Sequence, residues 1–199
     1  MMQTRQQIKD HGLRAKAAEV LVALAVVLVW LCAETRLTAE SSTASEAQIK
    51  AVFLFNFAKY VDWPPAAFSN ATTPITIGVM GSDPLGDDLR RDVEGKTING
   101  RPFVIKHLEA DSELDGCQIL FISRSEASRI GGILDKASAL HILTVGENEP
   151  FARNGGMISF VLKNGNVRLA INLTAARKAG LTISSRLLAV ADEVKGKTD

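Results

Sequence analysis

The stretch KAVFLFNFAKYVDWP, residues 50–64, predicts the first element of the fold. Its apolar residues recur every three or four positions, which is the spacing of a helix. We expect this helix over residues 46–61, with Ser45 as its N-cap and Trp63-Pro64-Pro65 as its end. The apolar side chains nearly encircle the middle of the helix, and such helices are usually buried on several sides. The stretch is therefore predicted to form the wall of a core.

The aromatic residues of this helix have more than one interpretation. Phe53, Phe57, Tyr60 and Trp63 are predicted to be core and core-edge residues. Because Tyr60 and Trp63 combine an aromatic body with a polar tip, they can also lie half exposed at an interface. The end of the helix is therefore a candidate surface for a partner or a ligand. A helix lying on a membrane is disfavoured, since its polar side is thin and carries only two lysines.

The residues before this helix have the pattern of an export signal. A basic segment precedes the apolar run VLVALAVVLVWLCA, residues 20–33, which is shorter than the about 20 residues of a bilayer span and suits a secretory signal. Small residues end two candidate cleavage sites, at Ala39 and Ala44. We expect residues 1–44 to be a signal peptide and linker, and residues 45–199 to be the domain. An uncleaved signal anchor is the alternative.

The composition excludes some classes of partner and of covalent support. The chain has 23 Lys and Arg against 22 Asp and Glu, so its charge gives no reason to expect nucleic acid as a partner. Cys117 is the one cysteine beyond the predicted leader, so an internal disulfide cannot form there and packing must hold the domain. The thiol leads into an apolar run and is predicted to be a small buried hydrophobe, with a reactive or intermolecular thiol as the alternative.

The middle of the chain predicts a layered α/β domain. Three apolar runs predict buried strands and one alternating run predicts an exposed or edge strand: residues 75–80, 117–123, 141–145 and 97–108. Helices are predicted between them, a short one near Pro84 and a longer one over residues 126–139. This order of elements favours parallel central strands.

The last third of the domain predicts a hairpin followed by two helices. Asn164-Gly165 separates the alternating segments 157–163 and 166–171, and Asn-Gly in that position is a strong hairpin signal. A short helix over residues 172–179 and a terminal helix over residues 183–194 follow. The predicted fold class is α/β: a single compact domain with a mixed central sheet flanked by helices, ending in a β-hairpin and a terminal helix.

No motif in the chain predicts an active site. Metal binding needs several converging ligands, and His107 and His141 stand on different predicted strands. The glycine-bearing turn after the first predicted strand lacks the spacing of nucleotide-binding loops. We therefore expect no catalytic residue, metal or cofactor. An enzyme would require Ser184, Ser185 and Arg177 to converge with an acid or a histidine in one pocket.

Two stretches together carry a resemblance to a known family. They are KAVFLFNFAKYVDWP, residues 50–64, and GGMISFVLKNGNVRLAINLTAARKAGLTISSRLLAVA, residues 155–191. The stretches ITIGVMGSDPLG and CQILFIS lie between them in the expected order. Over about residues 46–194 the chain resembles the YfiR/HmsC-like family of periplasmic proteins.

The resemblance implies a periplasmic regulatory protein. The best-known members hold the periplasmic region of an inner-membrane diguanylate cyclase inactive, and an outer-membrane OmpA-like lipoprotein can sequester them. Release of the cyclase raises cyclic di-GMP and favours biofilm. Because Cys117 stands alone, control through internal disulfides cannot be carried over. The alternative function is a periplasmic small-molecule-binding accessory protein of a sensor kinase or other signalling system, and the sequence leaves a homodimer open.

Four residues are candidates for the partner or ligand surface: Tyr60, Trp63, Asn172 and Arg177. Asn172 begins a predicted helix, where its side chain would bind exposed backbone N–H groups, so Asn172→Ala is expected to cost about 1 kcal/mol. Arg177 belongs to the basic residues of the last third, for which scattered solvated arginines and an anion site are the two interpretations.

Overall fold

The described part of the chain begins with the predicted aromatic helix. The structure, a computed structural model, describes residues 46–82, 85–147 and 149–196. Helix α1 covers residues 46–60 and ends just before the Trp-Pro-Pro sequence, as predicted. The predicted signal peptide and linker, residues 1–44, and the predicted N-cap Ser45 lie outside the described residues.

Short strands and helices alternate after α1. The strands are β1 (Val61–Asp62), β2 (Ile75–Met80), β3 (Thr97–Ile98), β4 (Arg101–Leu108), β5 (Ile119–Ile122), β6 (Leu143–Glu147), β7 (Ile158–Lys163), β8 (Asn166–Asn172), β9 (Thr182–Ile183) and β10 (Glu193–Lys195). The helices after α1 are α2 (Leu85–Val93), α3 (Ile130–Ala139), α4 (Glu149–Arg153), α5 (Leu173–Lys178) and α6 (Ser185–Ala189).

Eight strands form a mixed sheet in the order β10-β8-β7-β6-β5-β2-β4-β3. The five strands from β7 to β4 are parallel to one another. Strand β8 is antiparallel to β7, β10 pairs in parallel with β8, and β3 is antiparallel to β4. A separate antiparallel pair joins β1 to β9. The predicted fold class, an α/β domain with a mixed central sheet flanked by helices, is confirmed.

Alternating strand residues build a hydrophobic core on each face of the sheet. On one face, side chains such as Val79 and Phe121 pack with α1, α2 and α6. On the other face, side chains such as Met80 and Ile122 pack with α3 and α4. Because successive residues of a strand point to opposite faces, strands covered on both sides are apolar at nearly every position. This explains why the buried strands could be recognised as continuous apolar runs.

Several predicted elements are found at or near their predicted bounds. Strand β2 covers Ile75–Met80. The hairpin of β7 and β8 turns at Asn164 and Gly165, whose φ angles of 52° and 74° are the left-handed values that a tight hairpin turn requires. Helix α5 follows Asn172 as its N-cap, and Gly180 with φ of 75° ends the turn after it.

Two predicted elements are divided in the structure. The run at residues 97–108 was expected to be one strand, but Asn99 and Gly100 adopt φ angles of 51° and 76° and turn it into the β3–β4 hairpin. The helix expected over residues 126–139 begins only at Ile130, because Arg124–Glu126 form a 3-10 turn first. Asn99-Gly100 is the same hairpin signal as Asn164-Gly165, and the prediction of a single strand did not take it into account.

The end of the chain differs most from the prediction. The terminal helix expected over residues 183–194 is only the five-residue α6, and Glu193–Lys195 form strand β10. Strand β10 pairs with β8, and the N–H of Asp192 donates to the carbonyl of Leu169 at 2.9 Å. A longer helix would leave that side of β8 without backbone partners, so pairing to the sheet outweighs helix propensity here.

Helix α4 was not predicted at all. It contributes Phe151, which is buried against the face of the sheet that α3 covers. The ring lies so close to Gly146 and Gly156 that a Cβ at these positions would be 2.4 Å and 2.1 Å from ring atoms. The two glycines therefore leave space for the ring, and tertiary packing rather than local propensity fixes this five-residue helix.

Candidate interaction surface

The outer side of α1 exposes apolar side chains to solvent. Ile49 is 41% exposed and Val52 is 44% exposed. Phe53, Asn56 and Tyr60, which are partly exposed, continue the same side of the helix at three- and four-residue spacing. Large apolar groups that lie next to one another on a protein surface often mark an interaction site. The sequence predicted this side of α1 to be buried.

Helix α6 lies beside this side of α1, and the two helices form a groove of 340 Å³. We call it the α1–α6 groove; its lining residues are Phe53, Asn56, Phe57, Tyr60, Arg186, Leu187 and Val190. Val190, 61% exposed, is the most exposed large apolar residue among those the structure describes. The groove is thus mostly apolar, with Arg186 as the cationic residue of its lining.

Backbone pairing holds the two walls of the groove together. Strand β1 directly follows α1 and pairs with β9, with Val61 opposite Ile183. The N–H of Ser184 donates to the carbonyl of Tyr60 at 2.9 Å, and the hydroxyl of Ser184 accepts from the N–H of Leu187 at 3.4 Å as the N-cap of α6. The Ile-Ser-Ser sequence therefore both attaches α6 to the end of α1 and starts it.

The inner side of α1 is fixed by stacked aromatic rings. The ring of Phe57 is fully buried and lies 6.0 Å from that of Phe160 on β7, measured between centroids. Phe160 in turn lies 6.3 Å from Phe121 on β5. Such ring pairs stabilise packing beyond the area that they bury. The prediction that Phe53, Phe57, Tyr60 and Trp63 are core and core-edge residues is confirmed.

A buried ion pair anchors the amino-terminal half of α1. The ammonium of Lys50 contacts the carboxylate of Glu147 at the end of β6, and that of Glu46 one helical turn earlier at 2.7 Å. Burial by itself lowers the pKa of Lys50, but hydrogen bonds and charges from Glu147 and Glu46 outweigh it and raise the pKa above the ordinary lysine value. From the sequence, Lys50 was one of the two lysines on the thin polar side of this helix, and its partner Glu147 was missed.

The structure separates the four candidate residues. Tyr60 lines the α1–α6 groove. Trp63 is structural: its indole N–H donates to the carbonyl of Gln118 at 3.1 Å, and its ring lies edge-on to Phe68. The groove also includes Val190, which sequence reasoning did not select because a single exposed valine gives no periodic signal.

Asn172 and Arg177 lie away from the groove. Asn172 is buried; its side-chain oxygen accepts from the N–H of Ala175 at 3.0 Å, and its amide donates to the carbonyl of Ala152 at 2.7 Å. Its position as the N-cap of α5 is as predicted. The guanidinium of Arg177 is exposed and donates to the carbonyl of Gly196 at 2.9 Å. It therefore connects α5 to the turn after β10.

The residues with chemical reactivity are occupied in structural roles. Cys117 is buried, and desolvation raises the pKa of its thiol, as expected for a small buried hydrophobe. The Nδ1 atom of His141 lies 2.8 Å from the carbonyl oxygen of Ala179. Ser184 caps a helix. Within the described residues no group of three or more His, Cys, Asp or Glu side chains could hold a metal ion.

A family model described as YfiR/HmsC-like matches residues 47–192. The chain belongs to the YfiR/HmsC-like family. The family is one of periplasmic regulatory proteins without catalytic activity, and membership supports a periplasmic regulatory role for this chain. No helix within the described ranges is long and apolar enough to cross a membrane. No curated protein matches the chain significantly.

A solved structure shares the fold at low sequence identity. A conserved domain protein from Vibrio cholerae matches with a TM-score of 0.53 and 15% identity, over 75% of this chain and 60% of that one. This chain therefore spans less than two thirds of that protein, and the likeness concerns the fold alone. A Streptococcus pneumonia ABC domain in complex with L-Trp gives a TM-score of 0.45 at 14% identity, covering 62% of this chain and 57% of that one.

Proposed function

We propose that this YfiR/HmsC-like protein represses an inner-membrane diguanylate cyclase by binding the periplasmic region of the cyclase through the α1–α6 groove. The observation that carries the proposal is the exposed apolar side of α1 beside Val190, in a protein whose family acts by regulation. Such a role needs a binding surface and no catalytic group.

The groove has the properties of a site that holds a partner in one state. Its floor is fixed by the Phe57–Phe160 contact and its walls by the Tyr60–Ser184 hydrogen bond, so little conformational entropy is lost on binding. A regulator shifts an equilibrium only by its difference in affinity for the two states of its target. Repression therefore requires that the groove fit the inactive arrangement of the cyclase better than the active one.

Removal of the protein tests the proposed function in the cell. Deletion of the gene should raise cellular cyclic di-GMP and increase biofilm, and expression of the protein in the periplasm should restore both. Unchanged cyclic di-GMP in the deletion strain would count against the proposal, whatever surface the protein uses.

A surface variant tests the role of the groove. Val190→Asp should weaken binding to the periplasmic region of the cyclase at least tenfold, because a charge replaces an apolar side chain that the partner would bury. Val104→Asp is the matched control: Val104 is 38% exposed and lies on β4, on the other face of the sheet from the groove. Both variants should keep the stability of the unmodified protein within about 0.5 kcal/mol. Equal binding by both would refute the assignment of the groove.

The same surface is the proposed site of the other partners. An outer-membrane OmpA-like lipoprotein that sequesters the protein would compete with the cyclase for the groove, and Val190→Asp would then weaken both complexes. A homodimer that buries the groove would be disrupted by the same substitution, which light scattering can measure.

A separate observation favours a second candidate function, a small-molecule-binding accessory protein of a sensor kinase or other signalling system. The fold contains a pocket of 430 Å³ with charged residues in its lining, which is distinct from the groove. A pull-down from the native envelope that recovers a sensor kinase, and no protein with a GGDEF domain, would favour this function over repression of a cyclase.

A further inference from the structure

A second cavity, separate from the α1–α6 groove, lies beside α5. It has a volume of 430 Å³ and is bounded by α3, α5, β10 and the loop that follows α4. Its size is in the range of small-molecule sites. The pocket and the groove share no lining residue. We call this cavity the α3–α5 pocket.

Most of the charged residues that line the α3–α5 pocket are cationic. Arg153, Lys178 and Lys195 line it, and Asp135 is the one carboxylate among its lining residues. The side-chain ammonium groups of Lys178 and Lys195 make no ion pair or hydrogen bond with another described residue. Several other basic side chains of the described residues form ion pairs with carboxylates. Lys163, for example, contacts Asp192 at 3.1 Å. Three cations against one carboxylate give this lining an excess of positive charge, in a chain whose net charge is only +1.

The base of the pocket is ordered by internal hydrogen bonds. The buried hydroxyl of Thr144 accepts from the N–H of Met157 at 3.1 Å, and the buried amide of Asn172 is occupied by Ala175 and Ala152. These groups are therefore committed to the fold, and the lysines on the rim remain for a ligand. Leu134 and Met157 add apolar surface to the same lining.

We propose that the α3–α5 pocket binds a small organic anion, a molecule with a carboxylate or phosphate group held by Lys178 and Lys195 and with an apolar body against Leu134 and Met157. Hydrogen bonds between ammonium groups and anionic oxygens are stronger than neutral ones. The two lysines come from different elements, α5 and β10, so one anion can bridge them. This inference goes beyond regulation of a cyclase and does not depend on it.

Two neighbouring glycines provide a blocking variant and its control. Gly131 lines the pocket and Gly132 does not, and a Cβ at either glycine would meet no atom within 4 Å. Both lie in α3, where leucine has a higher helix propensity than glycine. Gly131→Leu should therefore fill the pocket without harming the fold, while Gly132→Leu should leave it open.

The experiment is a titration of the isotopically labelled protein with citrate and, separately, with inorganic phosphate, followed by amide chemical shifts. Sodium chloride at equal ionic strength is the baseline. We expect saturable shifts for amides around Thr174 and Lys178. The Lys178→Ala, Lys195→Ala double variant should raise the Kd at least tenfold, and Gly131→Leu should abolish the saturable shifts. Gly132→Leu should not change them. Lys106→Ala should not change them either, because Lys106 lies on β4 and does not line the pocket.

Either of two results would overturn the proposal. One is a set of shifts that grow linearly with both probes and match those of sodium chloride, which would mean adventitious ion binding only. The other is saturable binding that the double variant and Gly131→Leu leave unchanged, which would place the anion elsewhere. None of these measurements involves the cyclase, so a failure here is distinguishable from a failure of the proposed function.

Discussion

The ion pair between Lys50 and Glu147 is predicted to be a main support of α1. Glu147→Gln keeps the size of the side chain and removes its charge, so Lys50 is left with Glu46 as its carboxylate partner. The side chains of Lys50 and Glu147 are 9% and 12% exposed. Loss of one partner from such a pair leaves a charge with too little compensation in a poorly solvated site.

The expected magnitude follows from the remaining partner. Breaking a fully buried pair costs about 3–5 kcal/mol. Because Glu46 stays in contact with Lys50 and its side chain is 31% exposed, we expect Glu147→Gln to lower the free energy of unfolding by about 2–3 kcal/mol. Lys50→Met should cost a similar amount. The double variant should cost clearly less than the sum of the two, because the pair is removed as a unit.

Urea unfolding at neutral pH measures these differences. The control is Asp87→Asn in the exposed pair of Asp87 with Arg90, which should change stability by no more than about 0.5 kcal/mol. The raised pKa of Lys50 predicts a pH dependence as well. Its stabilising contribution is complete below the pKa of lysine in the unfolded chain and is lost as the pH rises through the folded value. The penalty of Glu147→Gln should therefore shrink in strongly alkaline solution.

Two outcomes would refute this reasoning. Glu147→Gln could cost no more than Asp87→Asn, which would mean that solvent screens the pair. The effects of Lys50→Met and Glu147→Gln could also add without coupling, which would mean that each side chain acts by itself.

Three further predictions concern single sites. Asn172→Ala should lower the free energy of unfolding by about 2–3 kcal/mol, more than loss of the cap alone, because it also leaves the carbonyl of Ala152 without its buried donor. Urea unfolding measures this, and a loss of about 1 kcal/mol would mean that only the cap matters. Gly146→Ala should cost about 1–3 kcal/mol by forcing Phe151 to move, whereas Gly131→Ala should be neutral or stabilising, as thermal unfolding can show. Cys117, buried and with a raised pKa, should react with a thiol reagent in the native protein far more slowly than in urea, and fast labelling of the native protein would contradict its burial.

Local sequence signals were sufficient for most of the fold. The continuous apolar runs identified β2 and β5 because these strands are covered on both faces. The Asn-Gly turn identified the β7–β8 hairpin because only left-handed φ angles close it. Both signals lie within a few residues of the element that they predict.

The missed elements depend on contacts that are distant in sequence. Strand β10 exists because β8 offers it a free side, which a local pattern around Glu193 cannot reveal. Helix α4 exists because the ring of Phe151 fits against Gly146 and Gly156. The partner of Lys50 is 97 residues away. In each case the deciding partner becomes visible only after the chain has folded.

The candidate surface was predicted only in part for a related reason. Periodicity placed Ile49 and Val52 on the apolar stripe of α1, and it could not tell which side of a wide stripe the sheet would cover. Tyr60 was selected for its polar tip and does line the groove. Val190 could be recognised only once α6 was known to end at Ala189.

Photocrosslinking in the native envelope tests the central proposal most directly. A photoreactive amino acid would replace Val190 in one strain and Val104 in another, and captured proteins would be identified by mass spectrometry. We predict that the Val190 position captures a membrane protein with a cytoplasmic GGDEF domain, and that the Val104 position does not. Capture of that protein from both positions or only from Val104, or its absence from both, would contradict the account.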